Sequence, residues 1–199
     1  EKGQLHERRY RERLATAGRQ IVDIAPDLPC ADAAERTEAA MRGGAQVIAQ
    51  ATFMRGGWRG RADFLERVDG VTGLGEWGYE AVDTKLARNE ALPHHVLQLA
   101  VYSQWIAQVQ GAAPRHMHLE LGSGRRETIL VSDVAAYVRH AQRVLRSAVD
   151  EQRSTEATPC AHCAMCGFRA QCEQWWERND HLSRVAGMRR GQADALRRA

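Results

Sequence analysis

With 199 residues, 44% of them hydrophobic and 27% charged, the chain has apolar material for one domain with an appendage, or at most two small domains. A formal net charge of +3 is too mild for histone-like coating of a polyanion. No apolar run reaches the length of a membrane helix and no signal-peptide pattern opens the chain, so the expected setting is cytoplasmic, without a membrane partner.

Residues 2–18 predict a helix, since Leu5, Tyr10 and Leu14 recur near helical spacing among charges and Gly18 suits its C-cap. His6 lies within it. Arg8, Arg9, Arg11 and Arg13 along this helix read first as a solvated face, with phosphate contact the minority reading. The same holds for Arg184, Arg189, Arg190, Arg197 and Arg198 at the other end. Residues 21–24 suggest a short strand, 26–29 a proline-rich turn, and 31–43 an Ala- and Glu-rich helix ended by Gly43-Gly44. Three extended runs follow: 46–54, then 58–68 after the Gly56-Gly57 turn, then 79–85 after loop residues at 69–70 and 73–78. Strict alternation in the second run puts Ala62, Phe64 and Glu66 on one face, against Asp63 and Leu65.

Pro93 opens a helix to about residue 110, closed by Gly111 and Pro114. Leu97, Val101 and Ile106 form its expected buried side. A strand at 115–121 turns through Gly122-Ser123-Gly124 into a second at 127–131, and Ser132 and Asp133 cap a helix from 134 to 152. A cysteine-rich stretch, a helix holding Trp175 and Trp176, and a basic tail complete the chain. The expected fold class is α/β: one mixed central sheet flanked by helices. Starting at Glu1 without Met and stopping in an arginine-rich run, the chain reads as a fragment of something longer.

The third extended run, Tyr79 to Lys85, ends in Asp-x-Lys. On a strand Asp83 and Lys85 share a face with Ala81, while Val82 and Thr84 point the other way. A carboxylate and an ammonium so placed can hold a hard cation and steady a water or a developing negative charge. Taken alone they equally describe a surface ion pair. Pairing of the second and third strands would set Asp63 beside Asp83, two carboxylates that repel unless a cation bridges them. On the next helix Gln98 and Tyr102 stand four residues apart on one face, with His94 a turn earlier.

Asp63 within Gly60-Arg61-Ala62-Asp63, then Asp83-Thr84-Lys85, then Gln98-Leu99-Ala100-Val101-Tyr102 resembles the PD-(D/E)xK nuclease superfamily, in particular its RecB-like branch. Gly3-Gln4-Leu5-His6-Glu7 is similar to that branch's first motif. One departure is Asp83, where many relatives carry Glu. The resemblance implies a restriction-endonuclease-like core and a Mg²⁺- or Mn²⁺-dependent nuclease acting on DNA, single-stranded or at ends, in repair or processing. It implies that Asp63, Asp83, the Thr84 carbonyl and His6 hold the metal. Lys85 then orients the attacking water or stabilises the transition state, and Gln98 and Tyr102 position DNA or Lys85. His94, His95, His116 and His118 stay structural. The alternative is a catalytically silent nuclease-like fold that binds nucleic acid or a partner.

The cysteines are Cys30, alone, and Cys160, Cys163, Cys166 and Cys172, close together. Such spacing suits zinc or an iron–sulfur cluster better than disulfides. RecB-like nucleases, including CRISPR-associated exonucleases, often end in C-x2-C-x5-C, whose three cysteines join one upstream of the first motif on a [4Fe–4S] cluster. By that resemblance Cys163, Cys166 and Cys172 are ligands. The fourth is Cys160, a residue before Glu1 or, more weakly, Cys30; a four-thiolate zinc site is the rival. His181 to Gly187 resembles the exit into a following helicase or RNase H-like domain. The expected division is therefore a nuclease core at 1–152, a cysteine-rich segment at 153–178 and a basic linker at 179–199.

Overall fold

The structure, a computed structural model, describes residues 2–86, 90–151 and 156–198. It divides into two units, Glu1–Arg143 and Val144–Ala199. The first contains α1 (Lys2–Thr16), β1 (Ile21–Asp23), α2 (Cys30–Arg42), β2 (Val47–Arg55), β3 (Trp58–Thr72), β4 (Gly75–Lys85), α3 (Pro93–Gln110), β5 (His116–Leu121) and β6 (Arg126–Leu130). It also contains the first part of α4 (Val131–Asp150). The six strands form one sheet in chain order. Two neighbour pairs, β1 with β2 and β4 with β5, are parallel; the others are antiparallel. Each parallel step needs a crossover, and α2 and α3 supply them.

The sheet is covered on both faces. Beneath α2 and α3 lie Met41, Ile48, Leu65, Tyr79, Leu99, Ile106 and Leu119, all fully buried. Beneath α1 lies a smaller cluster of Tyr10, Val47, Ala49, Phe64 and Val82. Burying a side chain of this size stabilises by roughly 1.5–3 kcal/mol, so these two layers hold the sheet in place. Tyr10 also docks α1 by polar contacts: its hydroxyl bonds to Glu66, and Arg126 bridges Glu66 at 2.8 Å and Glu120 at 2.6 Å. Burial and the charge of Glu66 hold the Tyr10 hydroxyl far above its ordinary pKa, so it remains a donor.

Four local expectations are corrected. Residues 75–78 are strand, pairing through Val68–Gly78 and Asp69–Trp77. Tertiary packing extends the ribbon, because Trp77 reaches back to donate its indole N–H to Met41 O at 3.2 Å. On α3 the inward side is Leu99, Ala100, Tyr102, Ser103, Trp105 and Ile106, while Leu97 and Val101 are only half-buried. The helix buries its Tyr102 face against the sheet. Helix α4 starts at Val131, so Ser132 and Asp133 lie in its first turn, where a carboxylate favours the helix dipole.

The fourth correction concerns alternation. Phe64 lies under α1, but Ala62 lies on the opposite face with Leu65. Strand β2 slips in the same place, with Ala49 under α1 and Ala51 on the other face. Between Ala49 and Ala51 stands Gln50 with φ of +57°, a left-handed conformation costly for any residue but glycine. Gln50 falls opposite Asp63 in the register, so both strands turn over at that point.

The second unit is small. It carries α5 (Arg169–Arg178) and α6 (Arg190–Leu196) with single 3₁₀ turns at Ala161–Met165 and Leu182–Arg184. Trp176 and His181 are its buried anchors, and the Trp176 indole N–H donates to Ala157 O at 2.7 Å. Among the described residues no helix is long and apolar enough to cross a membrane.

Candidate active site

Pairing of β3 with β4 stops at Phe64–Val82, one residue short of Asp63 and Asp83. Beyond it β4 continues against β5, through Asp83–Leu119, Thr84–Glu120 and Lys85–Leu121. The Thr84 N–H, lacking a β3 carbonyl, donates instead to Asp63 Oδ2 at 2.8 Å, and the Thr84 hydroxyl donates to the same oxygen at 2.7 Å. Asp63 thus spans the divergence of the strands.

Asp83 is 1% exposed, and its pKa is pushed up to about 7. Burial is the largest cause, the charge of Asp63 the next, and Lys85 opposes both. Lys85 Nζ is in ionic contact with Asp83 Oδ2, yet that oxygen is buried without an aligned hydrogen bond. A carboxylate buried with one ammonium, beside a second carboxylate, is an arrangement that a cation would complete. The donors are hard oxygens, which suits Mg²⁺ or Mn²⁺. Among the described residues no three His, Cys, Asp or Glu side chains are already drawn round one point.

His6 sits on α1 with Nε2 2.9 Å from Glu120 O, to which it must donate because a carbonyl only accepts. The contact engages Nε2 and leaves Nδ1 as the ring nitrogen open to a metal, an outer contact of the kind that orients metal-binding histidines. Gln98 Nε2 donates to Tyr102 Oη at 2.7 Å, and Tyr102 Oη donates to Arg61 O at 2.7 Å. The pair therefore grips β3 two residues before Asp63. Tyr102 is buried, and its phenol pKa is raised chiefly by that burial. Gly60 permits the grip: a Cβ there would stand 2.8 Å from the Trp105 ring and 2.9 Å from that of Tyr102.

Two residues near the site, Glu7 and His95, carry no expected role from the sequence. Glu7, on α1, has a raised pKa, mainly from burial and then from the charge of Asp63, and it also feels Lys85. Its carboxylate is held by the Gln50 amide. His95 is near enough to Lys85 for that charge to help burial lower its pKa. Only Glu7 left a trace in sequence, as the neighbour of His6. His94 is exposed, whereas His116 and His118 both bond to Glu80, at 3.2 and 2.8 Å.

A family model of the PD-(D/E)XK nuclease superfamily matches residues 4–173. The chain belongs to the PD-(D/E)XK nuclease superfamily. No curated protein matches it. The superfamily comprises metal-dependent nucleases that generally use Mg²⁺ or Mn²⁺, and the six-stranded mixed sheet flanked by helices is consistent with its restriction-endonuclease-like fold.

In the second unit the four cysteines are free, Cys160 exposed and Cys163, Cys166 and Cys172 half-buried. Cys160 Sγ and Cys163 Sγ are 3.9 Å apart. Thiolates on a tetrahedral ion with bonds of about 2.3 Å stand about 3.8 Å apart, so this pair already has ligand spacing. Cys30 opens α2 in the first unit.

Proposed function

We propose that the first unit hydrolyses DNA phosphodiester bonds as a RecB-like nuclease domain of a larger protein, in DNA repair or processing. The observation that carries this is the buried Asp83 carboxylate, in ionic contact with Lys85 and within the field of the Asp63 carboxylate. Asp63, Asp83, the Thr84 carbonyl and His6 would hold Mg²⁺ or Mn²⁺. A bound ion supplies a Lewis acid for the phosphate and lowers the pKa of a water to make the nucleophile.

The chain's own residues do the rest. Thr84 fixes one Asp63 oxygen through its backbone N–H and its hydroxyl. Lys85 Nζ, partly exposed on the same strand face as Asp83, is placed to hold the attacking water or balance the extra negative charge on phosphorus. Tyr102 and Gln98 act as positioning residues by fixing Arg61 and so the approach of β3 to the site.

The cysteine group of the second unit completes the reading as a [4Fe–4S] site of Cys160, Cys163, Cys166 and Cys172. Four free soft ligands within one short segment, two at ligand spacing, support it, and zinc is the rival occupant. The deciding experiment is cleavage of labelled single-stranded DNA, duplex DNA and RNA with Mn²⁺, comparing the parent with Asp83→Ala. Metal-dependent DNA cleavage lost in the variant is expected; equal activity in both would overturn the site.

A further inference from the structure

Beside the carboxylate site lies a hollow of about 280 Å³ lined by His6, Arg9, Tyr10 and Arg13 of α1 and by Gly122, Ser123 and Gly124. Its position is fixed from two sides. The loop leaves β5 at Leu121, the partner of Lys85, and runs so close to β4 that a Cβ on Gly122 would fall 2.7 Å from Leu86 O. On the α1 side, His6 precedes Glu7, the residue that feels Asp63 and Lys85. The hollow therefore continues the site along the ends of β4 and β5.

Its charge is unequally committed. Arg13 is spent on the buried Glu120 and lies over the Tyr10 ring, 4.9 Å from its centroid. Arg9 is exposed and makes no hydrogen bond or ion pair among the described residues. A cation with no internal partner, facing a small Gly-Ser-Gly loop across a hollow, suits an anion of modest size. A bulky side chain in that loop would fill the space; Gly122, Ser123 and Gly124 leave it open. Neighbouring Arg8 is equally exposed but does not line it.

We propose that this hollow is a phosphate subsite for the substrate strand, with Arg9 as its cation, holding a phosphate next to the one being cleaved. The inference rests on the nuclease reading and adds where the strand runs: from the Asp63–Asp83 pair across α1 toward the Gly122–Gly124 loop. An internal phosphodiester and a terminal phosphate offer the same chemistry, and the test separates them.

The test uses the whole chain and short single-stranded DNA, with and without a 5′-phosphate, and measures binding in Ca²⁺ over a salt series and cleavage in Mn²⁺. Arg9→Ala and Ser123→Asp should each weaken binding and raise KM several-fold with kcat little changed. Arg9→Ala should also flatten the log–log salt slope by about 0.7, the share of one phosphate on a single strand. Arg9→Lys should recover most of the loss, and Arg8→Ala should show a smaller effect. Losses on both DNAs assign an internal phosphate, and losses confined to phosphorylated DNA a terminal one. If Arg9→Ala and Ser123→Asp match Arg8→Ala in a parent that binds and cleaves, the subsite is wrong and the nuclease reading stands. If the parent neither binds nor cleaves, both fall.

Discussion

Thr84 gives its backbone N–H and its hydroxyl to a single oxygen of Asp63, at 2.8 and 2.7 Å. The two residues belong to strands that have just stopped pairing, so a side chain takes over where the β ladder ends. This relationship converts a loose strand end into a fixed carboxylate. It also helps Asp63 to stand beside Asp83 although the two repel, because two donors offset the charge on one of its oxygens.

Replacing Thr84 by Val keeps the shape and the N–H but removes the hydroxyl. Outer partners of metal ligands are typically worth about 10- to 100-fold in affinity or activity. Thr84→Val should weaken Mn²⁺ binding in calorimetry within that range. The fold should be spared, with a thermal shift matching about 1 kcal/mol. Unchanged affinity would mean that Asp63 does not meet the ion.

The second expectation is a pH dependence. Asp83 is raised from its ordinary value to about 7, so between about 4 and about 7 the folded metal-free protein holds a proton that the unfolded chain has released. Stability contributed by the neutral carboxyl is therefore full below the unfolded value and lost as pH rises through the folded one. In EDTA, Asp83→Asn should become progressively more stable than the parent across this window, with a constant margin above it. Mn²⁺ should shrink the margin by stabilising the parent. A margin independent of pH in urea titrations would show that Asp83 is not the titrating group.

The grip on β3 gives a third. Tyr102→Phe leaves Arg61 O without its donor, and Gly60→Ala drives a methyl against Tyr102 and Trp105. Each should cost about 1–3 kcal/mol. Because Asp63 follows two residues after Arg61, Tyr102→Phe should also reduce cleavage per folded molecule. Full activity in a destabilised Tyr102→Phe would leave the tyrosine a core residue only.

Much of this was legible in sequence because it depends on local order. Asp83 and Lys85 share a face by strand periodicity, Gln98 and Tyr102 by helical periodicity, and hairpin order brings β3 to β4. What was hidden depends on backbone departures and on contacts distant in the chain. Alternation assigns Ala62 and Phe64 to one face, and only the slip at Gln50 and Asp63 separates them. Glu7 meets Gln50 across 43 residues, and neither residue type signals the pairing. The inward turn of Tyr102 was missed because Leu97 and Val101 look the better core candidates, and helix position outweighed hydrophobicity.

Glu7 supports a fourth expectation. Its carboxyl group stands within the field of Asp63 and Lys85, beside the site proposed for the cation, where a bound metal ion would favour its ionised form. Glu7→Gln retains the size and a hydrogen-bonding head beside Gln50. It should lower Mn²⁺ affinity several-fold by removing one charge. If Mn²⁺ affinity and cleavage both hold at parental values, Glu7 serves only to anchor α1.

The last expectation concerns the thiols. A cluster or ion binds the folded segment and finds no preformed site in the unfolded chain, so its binding energy stabilises the second unit. That unit has few buried side chains of its own, Trp176 and His181 among them, and should depend on the added links. Protein purified without oxygen should be brown and contain iron with labile sulfide, and Cys166→Ala should lose both colour and thermal stability. Cys160 already stands 3.9 Å from Cys163 in sulfur separation, so Cys160→Ala should behave like Cys166→Ala while Cys30→Ala keeps the metal. Metal lost from Cys30→Ala and kept by Cys160→Ala would reverse that choice of ligand. Colourless protein with stoichiometric zinc would replace iron by zinc on the same thiolates.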